Sequence, residues 1–209
     1  MDKSSQVTIH TLQRMPYYLQ VLQKAEARGV KTISAVTIAD ELGMNSVLVR
    51  KEIAAVSTRS GKPKAGFEVA PLIRDIEDYM GFNNEKKTVI VGAGSLGRAL
   101  LGNSEFSEYG IHIVAAFDVS DAVIGRKING IEVYPVEDLE KYCTDNSIPI
   151  GIITTPVSAA QRVADALVRG GVKAIWNFAQ TILNVPEGTL VQNENLASSL
   201  ALLSRHINK

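Results

Sequence analysis

The segment that most constrains the fold is Gly92-Ala93-Gly94-Ser95-Leu96-Gly97. It comes after the β-branched run Thr88-Val89-Ile90-Val91 and leads into Arg98-Ala99-Leu100-Leu101, which reads as helix. G-x-G-x-x-G between a strand and a helix is the setting in which each glycine has its own physical reason. Gly92 allows the tight turn, Gly94 lets backbone approach a pyrophosphate, and Gly97 permits close helix–strand packing; the phosphates sit at the helix N-terminus. Ala93, Ser95 and Leu96 complete the predicted cofactor loop. The next predicted strand, Ile111 to Phe117, ends at Asp118, 21 residues past Gly97. An acid there takes the adenosine ribose hydroxyls. Val119 and Ser120 supply no cation for a 2′-phosphate, which favours NAD, as NADH and NAD+, over the phosphorylated cofactor. The alternatives are a glycine turn without ligand, or a different nucleotide such as coenzyme A.

Beyond Asp118 the chain alternates as a parallel α/β domain should. Ile148–Thr154 and Val172–Trp176 read as strands around an amphipathic helix, Ser158–Arg169, that ends at Gly170-Gly171. Thr155-Pro156 comes after the first strand and Asn177-Phe178-Ala179 after the second, at the carboxyl ends where parallel sheets place ligands. Thr155, Pro156, Asn177 and Phe178 are therefore candidate cofactor residues, with plain core the alternative for Phe178.

The N-terminal third reads differently. Residues 7–28 carry Ile9, Leu12, Leu19 and Leu22 at helical spacing and stop at Gly29. A second helix fits 35–42. Gly43-Met44-Asn45 makes a turn, and Ser46 is placed to cap a third helix over 46–56. Two helices joined by a tight glycine turn form a helix-turn-helix, whose second helix reads the major groove with its first turns. Ser46, Val47, Arg50 and Lys51 occupy those turns. Arg59-Ser60-Gly61-Lys62-Pro63-Lys64-Ala65-Gly66, with the strand-like Phe67-Glu68-Val69 after it, predicts a hairpin with a basic tip: a wing carrying Arg59, Lys62 and Lys64. Charge agrees. The chain balances 22 basic against 22 acidic residues, but residues 1–66 hold ten basic and five acidic, and residues 67–209 twelve and seventeen. A basic third on an acidic body suits a polyanion partner for that third, a solvated face being the alternative. Pro71 starts a further helix that ends at Gly81.

At the other end, Asn193 or Asn195 is placed to cap a last helix carrying Leu196, Leu200, Leu203 and Ile207, with Leu202 alongside. An amphipathic helix outside the βα alternation needs a surface to cover, either its own domain or a partner subunit.

Enzyme chemistry finds little footing. None of His10, His112 and His206 falls at a strand end of the dinucleotide domain, no tyrosine is followed four residues later by lysine, and residues 85–190 leave no room for a substrate lobe. The single cysteine, Cys143, excludes an intrachain disulfide and a cysteine-rich metal site, so no metal is expected. No apolar run approaches bilayer length and no signal-peptide core is present, which predicts a cytoplasmic protein without a membrane partner.

Motif by motif, nearly the whole chain resembles the redox-sensing transcriptional repressors of the Rex family. The resemblance rests on Arg14-Met15-Pro16-Tyr17-Tyr18, Val49-Arg50-Lys51, the Gly-Lys-Pro wing with Gly66-Phe67-x-Val69, and the glycine loop through Leu100. It continues through Thr155-Pro156 with Ala160-Gln161, and Asn177-Phe178-Ala179 with Val185-Pro186. It implies a homodimer that binds double-stranded palindromic operator DNA when NADH is low and is released by NADH. The implied architecture is a winged-helix DNA-binding domain over 1–82, a parallel-sheet Rossmann NAD(H)-binding domain over 85–190, and a C-terminal, domain-swapped dimerisation helix over 192–209. The sequence departs from the family where Ala55-Val56-Ser57 replaces an aromatic pair and glycine, where Asn103 replaces a tyrosine, and where Asn195 replaces an aspartate able to face Arg14. Two other functions stay open: a small NAD-dependent oxidoreductase whose N-terminal helices only dimerise, and a repressor sensing another adenine nucleotide.

Overall fold

The computed structural model describes residues 8–59, 61, 66–195, 197–198, 200–201 and 204. It divides into two units, residues 1–84 and 85–209.

In the first unit Thr8 caps α1 (Ile9–Ala27), its hydroxyl accepting from Thr11 N. Ser34 caps α2 (Ala35–Leu42), which stops at Gly43 in the left-handed region, φ 64°. Met44 N then donates back to Ala39 O at 2.8 Å, so the chain reverses within one turn. The expected cap at Ser46 is corrected. Asn45 holds the extended cap conformation, and its Oδ1 accepts from Val47 N and Leu48 N at 2.9 and 3.2 Å. Ser46 is the first helical residue of α3 (Ser46–Val56). One side-chain carbonyl that reaches two orphan amides makes asparagine as good a cap as serine.

The wing also differs from expectation. β2 (Phe67–Glu68) pairs antiparallel with β1 (Thr32–Ile33), which lies between α1 and α2, and Val69 opens α4 (Val69–Met80) instead of extending the strand. The crossing is tight: at Gly66, φ 78°, a Cβ would fall 2.2 Å from Ile33 O. Lys62 and Lys64 lie outside the described residues. Met15, Tyr18, Leu22, Ile38, Ile53 and Ile76 form a common buried core, so α1, α2, α3 and α4 cover one another.

The second unit is built on a sheet in the order β5-β6-β4-β3-β7-β8-β9 among the described residues. Its strands are β3 (Lys86–Val91), β4 (Ile111–Asp118), β5 (Lys127–Ile128), β6 (Ile131–Pro135), β7 (Ile150–Ile153), β8 (Ala174–Asn177) and β9 (Leu190–Asn193). All pairings are parallel except β5–β6, a hairpin closed by Asn129-Gly130 at φ 50° and 85°. The helices are α5 (Ser95–Leu101), α6 (Glu105–Glu108), α7 (Leu139–Asn146) and α8 (Val157–Arg169). Val89, Val91 and Phe117 pack with Leu139 and Cys143 of α7 and with Val163 and Leu167 of α8; Ile90, Ala116 and Ile152 pack with Leu101 of α5. Strand order reverses at β3, which lies between β4 and β7. Open α/β sheets place ligands at the carboxyl ends of strands flanking such a switch.

At the C-terminal end Asn193 is spent in β9, while Asn195 Oδ1 accepts from Ser198 N at 2.9 Å and so starts the final turns. Residues 197, 198, 200, 201 and 204 are helical, with Leu200 exposed. Leu196, Leu202, Leu203 and Ile207 lie outside the described residues.

Candidate cofactor cavity and nucleic-acid interface

The glycine loop is held by packing that leaves one edge open. At Gly97 a Cβ would stand 1.9 Å from Gly92 O, and at Gly92, φ 103°, it would meet the Thr154 backbone at 2.9 Å. At Gly94 a Cβ would meet nothing within 4 Å. The Ala93 peptide between them is clamped from both sides. Its N–H donates to Asp118 Oδ2 at 2.6 Å, and its carbonyl accepts from Arg98 Nε at 2.9 Å. Asp118 Oδ1 also accepts from Val119 N and Ser120 N. Asp118 therefore braces the loop, and its carboxylate offers fewer free lone pairs than an unencumbered acid.

Gly92, Gly94, Asp118, Thr155 and Pro156 line one cavity of about 810 Å³. That volume suits a large organic ligand. Thr155 Oγ1 is buried without a partner among the described residues. A buried unpaired hydroxyl costs about 1–3 kcal/mol, which a polar ligand atom would recover. The open edge at Gly94 and this orphaned hydroxyl fit a dinucleotide. Ala93, Ser95, Leu96, Gly97, Asn177 and Phe178 do not line the cavity. Asn177 is fully buried. Its Nδ2 donates to Thr181 O and Asn193 Oδ1, and its Oδ1 accepts from Ala179 N, so the amide ties β8, β9 and the adjoining turn together. Phe178 packs against Trp176, centroids 4.6 Å apart and rings tilted by 57°.

Sequence reasoning missed Val136 and Glu137, just past β6, and Ala159, Arg162, Val163 and Ala166 of α8, all of which line the cavity. The four on α8 share one helical face at i, i+3, i+4, i+7, directly after Pro156, and that spacing was the available signal. Cys143 is buried in the α7–α8 core; burial pushes its thiol up to about 12, which leaves it unreactive.

The first unit presents α3. Val47, Arg50 and Lys51 are exposed and Ser46 is partly covered, while Val49, Ile53 and Val56 point inward. Behind this face lies Glu52, only 5% exposed. Its carboxylate accepts from Thr11 Oγ1 at 3.0 Å, from Arg14 Nε at 3.0 Å and Arg14 Nη2, and from the Tyr18 hydroxyl. Burial pushes the Glu52 pKa up, but hydrogen bonds from Arg14, Tyr18 and Thr11 outweigh it and the net shift is downward. Arg14, the residue that the family resemblance pairs with a tail acid, is thus bound within its own unit. Arg59 pairs with Glu68 at 3.0 Å; both are exposed, and such pairs contribute only about 0–1 kcal/mol. Asp75 accepts from Ser57 Oγ, Thr58 N and Thr58 Oγ1, pinning the chain as it leaves α3. Among the described residues no group of three His, Cys, Asp or Glu is placed to hold a metal, and no helix is long and apolar enough to cross a membrane.

The redox-sensing transcriptional repressor Rex of Treponema denticola is 40% identical over 208 residues, covering 100% of this chain and 99% of that protein. The Rex protein of Bacteroides fragilis is 37% identical over 205 residues, covering 98% and 93%. The chain belongs to the Rex family. Family descriptions agree at coarser grain: "CoA binding domain" matches residues 83–181, and "Putative DNA-binding protein N-terminus" matches residues 6–53. The fold is also that of RSP, a Rex-family repressor. The structure of RSP with β-NAD+ and operator DNA superposes with a TM-score of 0.91 at 32% identity, covering 97% of this chain and 93% of that one. RSP with β-NADH superposes at 0.85, covering 97% and 95%.

Proposed function

We propose that this Rex-family chain is a DNA-binding transcriptional repressor that senses the NADH/NAD+ ratio. As a homodimer it occupies double-stranded palindromic operators when NADH is low and leaves them when NADH rises. The observation that carries this reading is one chain holding both an exposed Arg50-Lys51 helix and a cavity built on the Gly92–Gly97 loop. RSP, similar over nearly its whole length, is described with NAD+ and operator DNA and with NADH.

The residues divide the task between the two units. Arg50 and Lys51 reach base edges with Ser46 and Val47 beside them, and Arg59, Lys62 and Lys64 neutralise backbone phosphates. In the cavity Gly94 gives the pyrophosphate close access to backbone N–H groups, and Asp118 takes the adenosine ribose. Thr155 and Pro156 lie toward the nicotinamide, and Asn177 keeps the adjacent turn in place. NADH and NAD+ share everything but the charge on the nicotinamide, so discrimination arises at that end. An apolar surround at that end admits the neutral ring more easily than the cation. The bound ligand then shifts the spacing of the two recognition helices away from the operator half-sites. On this reading the cofactor's redox state is read and not changed, in keeping with the Rex repressors to which the chain is similar. A cytoplasmic location fits the same role.

A duplex-binding titration tests this. A palindromic promoter fragment binds the protein with a steep salt dependence, and NADH releases it. NADH turnover with no duplex affinity at any salt concentration would select the oxidoreductase instead.

A further inference from the structure

On the proposed reading the glycine loop and Asp118 take the pyrophosphate and ribose, and the 810 Å³ cavity has further lining beyond them. β6 runs parallel to β4 with Asp118 opposite Pro135, so Val136 and Glu137 stand one step beyond the acid, on the far side of β4 from the glycine loop. Val119, next after Asp118, lines the same cavity and is 76% exposed. α8 supplies Ala159, Val163 and Ala166 as apolar wall and Arg162 beside them. Besides Asp118, Glu137 and Arg162 are the charged residues lining the cavity; both are exposed, and neither side chain has a hydrogen bond or ion pair among the described residues.

A nucleoside whose ribose sits on Asp118 extends its base in this direction. The base it meets must have apolar faces, tolerate a guanidinium beside them, and offer a donor to a carboxylate that only accepts. Adenine has all three: a flat ring on which arginine stacks, and an exocyclic amine. A purine with a carbonyl at that position sets acceptor against acceptor.

On the reading that the cavity holds NAD(H), we propose that Glu137 is a specificity-determining residue that accepts from the adenine exocyclic amine, with Arg162 lying against the ring. Glutamine at 137 meets either purine, because its amide both accepts and donates.

The test uses the full chain and two probes, NADH and reduced nicotinamide hypoxanthine dinucleotide, titrated by fluorescence or calorimetry. The wild-type protein prefers NADH by about tenfold or more, the scale of one hydrogen bond to a charged group. Glu137→Gln reduces the preference to about twofold or less with a small loss for NADH itself. Arg162→Met weakens both probes alike and keeps the preference. Equal binding of both probes to the wild type, or a preference unchanged in Glu137→Gln, overturns the proposal while leaving the dinucleotide reading intact. Failure of the wild type to bind either probe overturns both.

Discussion

Removing the Arg14 guanidinium tests what holds the recognition helix in place. In Arg14→Met the Glu52 carboxylate keeps, among the described residues, Thr11 and Tyr18 as donors and loses the Arg14 counter-cation. Breaking a buried ion pair by deleting one partner costs about 3–5 kcal/mol. Arg14 is 28% exposed, so water recovers part of this and the lower end, about 3 kcal/mol, applies. For a unit of this size that corresponds to a fall in Tm of about 12–24 °C. The assay is thermal unfolding of the full chain by far-UV circular dichroism, with fluorescence of the one tryptophan, Trp176, as an internal reference for the second unit. The first transition shifts and the Trp176 transition does not. The effect also has a pH signature. The Glu52 pKa is lower folded than unfolded, so its contribution is present above the unfolded value of about 4.3 and is lost as pH falls through the folded value. Without Arg14, burial dominates and Glu52 takes up its proton more readily, so the gap between variant and wild type narrows in acid. A loss below about 1 kcal/mol with no change in pH dependence would refute the assignment of Glu52 as a structural anion.

Gly97→Ala pushes a methyl group into Gly92 O, and the loop must move to relieve it; titration shows NADH affinity lowered by about tenfold or more, while circular dichroism shows the fold retained. Arg50→Ala loses about 1–3 kcal/mol of operator discrimination per half-site with NADH binding unchanged, measured by gel shift against a scrambled duplex. Asp118→Ala weakens NADH and narrows its advantage over NADPH in competition titrations, and because the Ala93 amide also loses its acceptor, the pyrophosphate contacts loosen as well.

The helices of the first unit were legible because their signals are local: helical spacing in α1, the glycine stop at Gly43, the αL end of α4 at Gly81. The partner of β2 was not, because β1 is two residues long and over thirty residues away, and only the close approach of Gly66 to Ile33 reveals the pairing. In the second unit β9 hid because it is four residues long and mostly exposed, with only Leu190 and Val191 apolar, so it shows no apolar run. The β5–β6 hairpin carries an Asn-Gly turn, a local signal, but β5 is only two residues long, so no alternation shows before the turn. Gly92, Gly94 and Asp118 could be placed from spacing, since the motif encodes its own geometry. Glu137 and Arg162 could not, since they reach the cavity only through the β4–β6 register and the setting of α8. The Arg14–Glu52 pair joins residues 38 apart, and nothing local to either predicts it.

Cofactor and operator are proposed to compete through one conformational equilibrium, and linkage makes that measurable from either side. NADH is titrated calorimetrically into the dimer at fixed salt, alone and saturated with operator duplex, and the series is repeated with NAD+. A coupling of about 1–3 kcal/mol predicts that operator weakens NADH binding by roughly 5–150-fold, and that NADH weakens operator binding by the same factor. NAD+ shows a much smaller factor in both directions. Equal factors for the two redox forms, or NADH binding indifferent to operator, would contradict the account and leave a nucleotide-binding DNA protein that does not sense redox state.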